Sequence, residues 1–462
     1  MDSGFGFRPG RPCYNSAFPL MAIISPFRAW RYDPERVPAQ QAVTQPYDKI
    51  TPAMQESYYQ ASPYNLVRII LGKRLPADSE SENAYTRAAA AFRDWRQTGI
   101  LRRDPDPSLY RYSQTFRLPD DAPASAGRRT HAERRGFIAL GRLESYSASV
   151  VFRHEQTLTK PKADRLDLLR ATRAHFGQIF MLYSGAGKVN AALDSATDSP
   201  ADIEVNDEYG VVHRVWRISD PSIIASAQEQ MRTRKLIIAD GHHRYETALT
   251  YRDERRASAE TGSGLPTPYD SVMMTFIDMD CPGLVILPTH RLVFGLPSFS
   301  APQFHSDAQN FFNIEEVDAG IDAPRATAIL RQADHSGTAL LAVTAGRAFL
   351  LHTPKAVGTL IFGKLSLRQQ ALDVVQLHKC LLEGVLRISE EAIRNQANIS
   401  YCRDAAEALQ QAQSGKVQMA FLTNPVRIDQ VRDIAFAGEV MPQKSTDFYP
   451  KLLSGLTIYA LE

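Results

Sequence analysis

The clearest pattern of apolar and polar positions in this chain lies between residues 235 and 249. Four consecutive apolar residues, 236–239, predict a buried strand. Asp240-Gly241 then predicts a tight turn, and the chain from His242 onward has the apolar spacing of a helix. One face of that helix carries Tyr245, Ala248 and Leu249. The pattern therefore predicts a strand, a turn and the start of a helix.

Similar patterns on both sides of this stretch predict a mixed α/β (α+β) fold. Strands are predicted at 211–217, 271–279 and 284–287, and a helix at 222–233. Alternation of this kind is typical of strands in a sheet covered by helices. Further units follow, with strands near 338–344, 347–352 and 417–422 and helices near 321–332, 373–386 and 402–413.

The length of the chain, 462 residues, is enough for two or three domains. We predict a first domain over 21–293 and a second α/β domain over 294–462, with the boundary in the loop 294–303. Residues 1–20 are rich in Gly, Pro, Ser and Arg and lack periodicity, which predicts a disordered extension. Met21 is then a candidate for the natural start.

The charge balance argues against a nucleic acid or a membrane as the partner. Lys and Arg number 53 against 51 acidic residues, so the chain as a whole has little electrostatic attraction for polyanions. No apolar run approaches the roughly 20 residues that a membrane helix needs. The four cysteines are scattered without a Cys-x-x-Cys pair, which favours reduced thiols and a cytoplasmic protein.

The predicted turn at Asp240-Gly241 carries side chains suited to phosphate chemistry. The first turn of a helix has unpaired N–H groups and a positive dipole end, and both favour anions. Arg244 can hold a phosphate with two hydrogen bonds, while His242 and His243 can donate hydrogen bonds or transfer protons. Asp240 can act as a base or hold a metal ion. The alternative is a polar helix cap with a surface ion pair.

Other polar clusters are candidates for the same site. In the run Arg153-His154-Glu155, Glu155 follows a predicted strand and is a candidate general base or metal ligand. The candidates in turns and loops are equally well explained as Pro-fixed corners or solvated charges, whereas the pair at a strand end lies where a crevice often forms. These candidates are Arg28, Tyr47 and Asp48 in Pro-directed turns, His290 and Arg291 at a strand end, and Lys444 and Ser445 in a Pro-bounded loop.

Taken together, these clusters resemble the family labelled domain of unknown function 1015. The resemblance extends over nearly all of 21–462. It is carried by the runs Ser25-Pro26-Phe27-Arg28-Ala29, Gln45-Pro46-Tyr47-Asp48, Arg153-His154-Glu155, Asp164-Arg165, 239–248, Leu287-Pro288-Thr289-His290-Arg291 and 441–446.

The central motif alone is similar to the signature of the superfamily that joins ParB-type proteins, sulfiredoxin and the free serine kinases. This resemblance implies a ParB/sulfiredoxin-like nucleotide-binding core in 21–293, with Gly241, His243 and Arg244 as a phosphate cradle and Asp240 in the catalytic site. Sulfiredoxin has a cysteine where this chain has His242, so sulfinate repair is disfavoured. The helix-turn-helix of ParB-type proteins is not recognisable after the motif.

The leading hypothesis is a phosphotransferase or phosphatase that acts on a small hydroxylated metabolite, with serine or phosphoserine suggested by the resemblance. It implies ATP or ADP and a Mg²⁺ ion held by Asp240 or Glu155. The candidate catalytic residues are Asp240, His242, His154 and Glu155. Two alternatives stay open: a nucleotide-binding switch associated with nucleic acid, and a metal-dependent hydrolase with His242, His243, His154 and Asp240 as ligands. The sequence leaves the oligomeric state open.

Overall fold

The structure is a computed structural model that describes residues 22–119, 130–156, 160–185, 187–258, 266–356 and 361–462. The predicted N-terminal extension, 1–20, and Met21 lie outside the described residues. The predicted strand, turn and helix of the central stretch are confirmed, because strand 236–240 is followed by Gly241 and by a helix that begins at His242. The mixed α/β class is confirmed as well.

The described part of the chain contains the following strands: β1 Ile24–Ser25, β2 Trp30–Tyr32, β3 Leu101–Arg103, β4 Leu109–Arg117, β5 His131–Arg142, β6 Val151–Phe152, β7 Ala174–His175, β8 Ile179–Tyr183, β9 Ile203–Asn206, β10 Val212–Ile218, β11 Leu236–Asp240, β12 Ser271–Asp278, β13 Val285–Leu287, β14 His290–Val293, β15 Phe312–Val317, β16 Ala339–Val343, β17 Ala348–Pro354, β18 Ile399–Cys402, β19 Met419–Thr423, β20 Asp447–Tyr449 and β21 Tyr459–Ala460.

The helices in the same ranges are α1 Ala39–Ala42, α2 Pro52–Ala61, α3 Val67–Ile70, α4 Ala84–Gln97, α5 Lys160–Thr172, α6 Lys188–Asp194, α7 Pro221–Met231, α8 His242–Ser258, α9 Ala301–Ala308, α10 Ala323–Ala333, α11 Leu367–Gln370, α12 Asp373–Gln376, α13 Glu390–Asn395, α14 Ala405–Gln413 and α15 Ile428–Phe436. A π-helix, Leu377–Val385, continues directly from α12, and short 3-10 turns lie at Tyr47–Lys49, Tyr146–Ala148, Pro268–Asp270 and Asp334–Ser336.

The larger sheet has β11 near one edge and β8 and β12 beside it. Its strand order is β6-β11-β8-β12-β5-β4-β10-β9, and β1 pairs with β5. All five residues of β8 are buried, which explains its unbroken apolar sequence. Strand β11 is antiparallel to β8 and parallel to β6. The residues that follow β11 therefore lie beside the residues that follow β6. This arrangement brings Glu155 to the same edge of the sheet as Asp240.

A second sheet lies in the C-terminal half, with the order β15-β17-β16-β19-β14-β18. Strand β14 precedes the boundary that the sequence predicts at 294–303, and it nevertheless pairs within this second sheet. One apolar cluster runs through both halves, with Ile237 of β11, Leu340 of β16 and Phe448 of β20 among its members. The division into domains at 293/294 therefore stays a prediction, while the two sheets share a continuous core.

The end of the chain returns to the first sheet and to the N-terminal segments. Strand β20 pairs with β13, and β21 pairs with β7. Isolated bridges join Thr44 to Ser454, Trp30 to Ile458 and Glu155 to Met441. These pairings carry the loop before β20 to the end of β11. Within the described ranges, no helix combines the length and the apolar character needed to cross a bilayer.

Candidate functional site

The turn between β11 and α8 is built around a bulge and a glycine. Ile238 pairs with Met181 and Asp240 pairs with the next residue, Phe180, so Ala239 is an extra residue in the β11 ladder. Such a bulge redirects the side chains at the end of a strand. Gly241 follows with φ +92°, in the left-handed region that favours glycine. Its carbonyl accepts the first helical hydrogen bond of α8, from Tyr245 N at 2.9 Å.

Arg244 folds back over Gly241 and is fixed by the protein. Its Nη2 donates to Asp240 Oδ2 at 3.2 Å, and its Nη1 donates to the carbonyl of Gln178. A Cβ atom at position 241 would lie 3.0 Å from Arg244 Nε, so glycine is also needed for this close approach. The guanidinium has five N–H groups, and those two contacts leave further donors for a ligand.

Positive charges surround Asp240. Burial alone would raise the pKa of the Asp240 carboxyl, but Lys451, Arg244 and Lys49 outweigh burial and lower the pKa below its usual value. Lys451 is anchored by Asp447, with Nζ 2.8 Å from Oδ1. Asp240 is therefore an ionised carboxylate at neutral pH, and the excess of cations around it favours a bound anion.

Lys49 and Lys451 were missed as site residues by the sequence reasoning. Burial, followed by repulsion from Lys451 and Arg403, lowers the pKa of Lys49 to about 8. Both lysines stand next to candidate residues in sequence, Lys49 directly after Asp48 and Lys451 in the run that contains Lys444. That adjacency was the available signal, but only the fold brings the two segments together.

Glu155 and His154 meet Thr446 at the second wall of the site. Glu155 Oε1 accepts from Thr446 N at 2.8 Å and from Thr446 Oγ1 at 2.7 Å. Thr446 Oγ1 also lies 2.8 Å from His154 Nε2, while His154 Nδ1 donates to the carbonyl of Ile238 at 2.7 Å. His154 is fully buried, so it supports Thr446 and Glu155 rather than facing the cleft. The predicted catalytic role of His154 is replaced by a positioning role.

Glu155 is strongly ionised. Burial acts to raise its pKa, but interactions with His154, His242 and Thr446 prevail and lower the pKa to about 2. A carboxylate with so low a pKa is a weak general base at neutral pH. Its chemistry is better suited to holding a cation or accepting a hydrogen bond.

His242 occupies the first position of α8 and turns inward towards His154. The two ring centroids are 5.0 Å apart. Burial is the main cause that lowers the pKa of His242 to about 3, and the neighbouring His154 is the second. The imidazole is therefore neutral at pH 7. Its Nε2 is buried without a hydrogen-bond partner in the described part of the chain. His242 thus offers one uncommitted ring nitrogen at the base of the site.

These residues enclose a cleft of about 110 Å³. We call it the Asp240–Arg244 cleft. It is lined by Tyr47, Asp48, Glu155, Gln156, Asp240, Gly241, His242, His243, Arg244, Gln443 and Lys444. The guanidinium of Arg165 lies over the ring of Tyr47, 4.1 Å from its centroid, and so fixes the wall formed by the 3-10 turn. The predicted composite pocket thus brings together segments from both halves of the chain.

Besides His154, four predicted site residues lie outside this cleft. Arg28 donates to the carbonyl of Asp104 at 2.7 Å, and Ser445 donates to the carbonyl of Pro442 at 2.6 Å. Both side chains satisfy backbone groups of turns and are not placed to bind phosphate. His290 and Arg291 are buried in β14.

Arg291 nevertheless shapes the cleft. It donates from Nη2 to the carbonyl of Lys444 at 3.1 Å and from Nη1 to the carbonyl of Thr289. Lys444 has φ +57°, and its side chain is exposed at the rim of the cleft. Arg291 therefore holds the loop that presents Lys444, which is a positioning role.

The arrangement of His, Cys, Asp and Glu side chains tests whether the predicted metal ligands lie close together. In the ranges that the structure describes, no group of three or more His, Cys, Asp or Glu side chains is arranged to hold a metal ion. The ligand set predicted for a metal-dependent hydrolase is not assembled, because His154 is buried and both of its ring nitrogens are engaged, with Ile238 and Thr446. Two ionised carboxylates, Asp240 and Glu155, do line the cleft.

The fold and the site define an α/β protein with a small polar cleft at the start of a helix. The chain belongs to the family described as protein of unknown function (DUF1015), whose family model matches residues 24–375. A search of curated proteins found no match.

Solved structures with a partial likeness include three kinds of protein. A conserved hypothetical protein from Pyrococcus furiosus is 10% identical over 65% of this chain and 87% of its own, with a TM-score of 0.32. A free serine kinase mutant in complex with AMP is 12% identical over 65% and 84%, with a TM-score of 0.33. SbnI from Staphylococcus aureus, with a C-terminal truncation, is 9% identical over 68% and 85%, with a TM-score of 0.31. Scores this low give no ground for transferring an activity.

Proposed function

We propose that this chain binds a phosphorylated small molecule in the Asp240–Arg244 cleft and transfers a phosphoryl group between a nucleoside phosphate and a hydroxyl group. The observation that carries the proposal is the convergence of phosphate-binding groups on one small cleft. The first-turn amides of α8, the fixed guanidinium of Arg244 and the exposed Lys444 all border it. Lys49 and Lys451 add positive charge near Asp240.

Phosphoryl transfer depends mainly on positioning and on neutralising the charge of the transferred group. Arg244 and the amides at the start of α8 would hold the phosphate oxygens. Asp240 is ionised and next to Arg244, so its carboxylate can accept a hydrogen bond from the attacking hydroxyl and orient it. A low pKa is compatible with this role, because the loose transition state requires little basicity from the protein.

Two of the three carboxylate residues that line the cleft, Asp240 and Glu155, are suitable ligands for a Mg²⁺ ion. Magnesium in such sites is bound by one or two carboxylates together with phosphate oxygens of the substrate. Asp240 and Glu155 would hold the ion, which neutralises phosphate charge when it is bound. Within the described ranges, Thr446 donates to one oxygen of Glu155 and Arg244 to one oxygen of Asp240, so the other oxygen of each carboxylate would hold the metal.

The motif 240–244 resembles that of the free serine kinases, which makes serine the first hydroxyl substrate to test. We propose ³¹P NMR of the full chain with Mg²⁺, serine and either ATP or ADP, and in the reverse direction with Mg²⁺, phosphoserine and either ADP or AMP. We expect a new phosphomonoester signal, or its loss in the reverse direction. A panel of other hydroxylated metabolites follows if serine is inert.

Phosphate binding is tested separately by calorimetry with pyrophosphate. Arg244→Met should abolish the binding, whereas Arg93→Met, which removes an exposed arginine on α4, should leave it unchanged. Absence of pyrophosphate binding by the unmodified chain, together with inert NMR samples, would refute the proposal.

A further inference from the structure

A larger cavity adjoins the Asp240–Arg244 cleft. Its volume is about 540 Å³, within the range of small-molecule sites, whereas the cleft has about 110 Å³. Gln156 and Gln443 line both spaces, so the cavity opens directly beside the cleft. The opposite wall is formed by the π-helix Leu377–Val385, which lies beyond the region matched by the family model. Segments of π-helix occur frequently at functional sites.

The wall of this cavity combines apolar side chains with four neutral hydrogen-bonding ones, Gln156, Gln369, His378 and Gln443. Ile361, Phe362, Leu365, Val375 and Ile393 supply the apolar surface. Gln443 is 9% exposed, and its side-chain amide makes no hydrogen bond within the described ranges. His378 is 5% exposed, and its Nε2 has no partner there. Buried polar atoms are normally paired, so His378 Nε2 needs a ligand or water.

The charges around the cavity leave its interior close to neutral. Burial and the nearby Arg291 and Lys379 lower the pKa of His378, so its imidazole is uncharged. At the rim, Lys379 pairs with Glu383 at 2.9 Å, and Arg394 pairs with Glu390 at 3.0 Å. Lys364 is exposed to solvent. An apolar wall with neutral donors and acceptors fits an uncharged heterocycle better than a charged group.

We infer that this cavity, here named the Gln443–His378 cavity, binds the base and sugar of a nucleoside phosphate whose phosphates lie in the Asp240–Arg244 cleft. The inference rests on the proposed function for the placement of the phosphates. The cleft alone is too small for a whole nucleotide, and Gln156 and Gln443 line both spaces, so the phosphates and the nucleoside of one ligand would lie next to each other.

The test compares pyrophosphate with ADP, GDP, CDP and UDP in calorimetry on the full chain. We expect pyrophosphate to bind and at least one nucleoside diphosphate to bind at least tenfold more tightly. If pyrophosphate binds and no nucleoside diphosphate exceeds it, the inference is overturned while the proposed function stands. If neither pyrophosphate nor any nucleotide binds, both fail.

A variant that fills the cavity tests whether the additional affinity for a nucleotide, relative to pyrophosphate, comes from the cavity. Ile393→Trp should reduce the affinity for the preferred nucleotide to that for pyrophosphate, and it should leave pyrophosphate binding unchanged. Leu367→Trp is the matched control, because Leu367 is 83% exposed and does not line the cavity. Retention of full nucleotide affinity in a folded Ile393→Trp protein would contradict the inference.

A second measurement does not depend on the folding of that variant. The δ1-methyl groups of Ile361 and Ile393 can be followed by NMR in the unmodified chain. Both signals should shift with the preferred nucleoside diphosphate and not with pyrophosphate. Unchanged methyl signals at saturating nucleotide would place the base elsewhere.

Discussion

Arg244 donates a hydrogen bond to Asp240 at 3.2 Å from the first turn of α8, across the left-handed Gly241. The contact fixes the guanidinium at the mouth of the cleft and helps to keep the carboxylate ionised. Both effects depend on the absence of a side chain at position 241. The pair is therefore sensitive to a change as small as one methyl group.

Gly241→Ala should weaken pyrophosphate binding by about tenfold or more, because a displaced Arg244 loses charge-assisted contacts worth roughly 1.5–3 kcal/mol each. Gly210→Ala is the control: Gly210 has φ +74°, and a Cβ there meets nothing within 4 Å. Both variants bear the left-handed backbone cost of about 1–2 kcal/mol in stability. Calorimetry and urea unfolding of the two proteins separate the effects. Equal loss of binding in both would show that backbone strain alone is responsible.

Thr446→Val should destabilise the protein by about 1–3 kcal/mol, since it leaves the buried His154 Nε2 without its partner and removes a hydrogen bond to Glu155. The two side chains have nearly the same shape, so little packing is lost. Thr446→Ser keeps the hydroxyl and should retain both the stability and any phosphate binding. The measurement is urea unfolding at pH 7. A valine variant as stable as the serine variant would rule out the hydroxyl bridge.

The Glu155 contribution to stability should disappear in acid. Its pKa is lowered from 4.5 to about 2, so the ionised form contributes stability above about pH 4.5, and this stability is lost as the pH falls towards 2. At neutral pH the contribution is on the order of 3 kcal/mol. Unfolding free energies of the unmodified chain and of Glu155→Gln should therefore converge between about pH 4.5 and 2.

Glu391→Gln provides the matched control for this titration, because Glu391 is exposed on α13. Its difference from the unmodified chain should stay small over the same pH range. A Glu155→Gln difference that is independent of pH would contradict the lowered pKa.

Lys49 should make anion binding pH-dependent on the alkaline side. Its pKa of about 8 means that its charge is present at pH 7 and lost by pH 9.5. Sulfate is a suitable probe, because its own charge does not change in this range. We expect the affinity to fall by about fivefold, close to 1 kcal/mol for one partly screened charge pair. Lys49→Met should show the lower affinity at both pH values.

Lys451→Met tests the effect of Lys451 on the titration of Lys49. Removal of Lys451 takes away a positive charge that lowers the pKa of Lys49, so the midpoint of the affinity change should move to higher pH. Calorimetry with sulfate at pH 7, 8, 9 and 9.5 measures this shift. A flat affinity profile in the unmodified chain would show that Lys49 does not act on the bound anion.

The central strand, turn and helix could be predicted from the sequence because every determinant is local. Residues 236–239 are apolar, Gly241 permits the turn, and the helical spacing begins at His242. The second wall could not be derived in the same way. Thr446 and Glu155 are 291 residues apart, and no periodic pattern encodes their hydrogen bonds.

The predicted site residues that lie outside the cleft show the same limit. Ser445 donates to a carbonyl three residues earlier, and Arg291 donates to one two residues earlier. A polar side chain that hydrogen-bonds to a nearby backbone carbonyl cannot be told from a ligand-binding side chain by its local sequence. Only the tertiary structure distinguishes them, and it also brings in Lys49 and Lys451.

The bridge between Glu155 and Met441 joins two segments that are synthesised far apart in time. When the chain has been released only as far as α8, Asp240 and Arg244 have been made, but β12, Lys444 and Thr446 have not. The nascent chain therefore lacks both a strand that borders β8 in the sheet and the second wall of the cleft. Under the proposed function, phosphate chemistry begins only after the last segment has been translated and has docked, so that partial chains stay inactive.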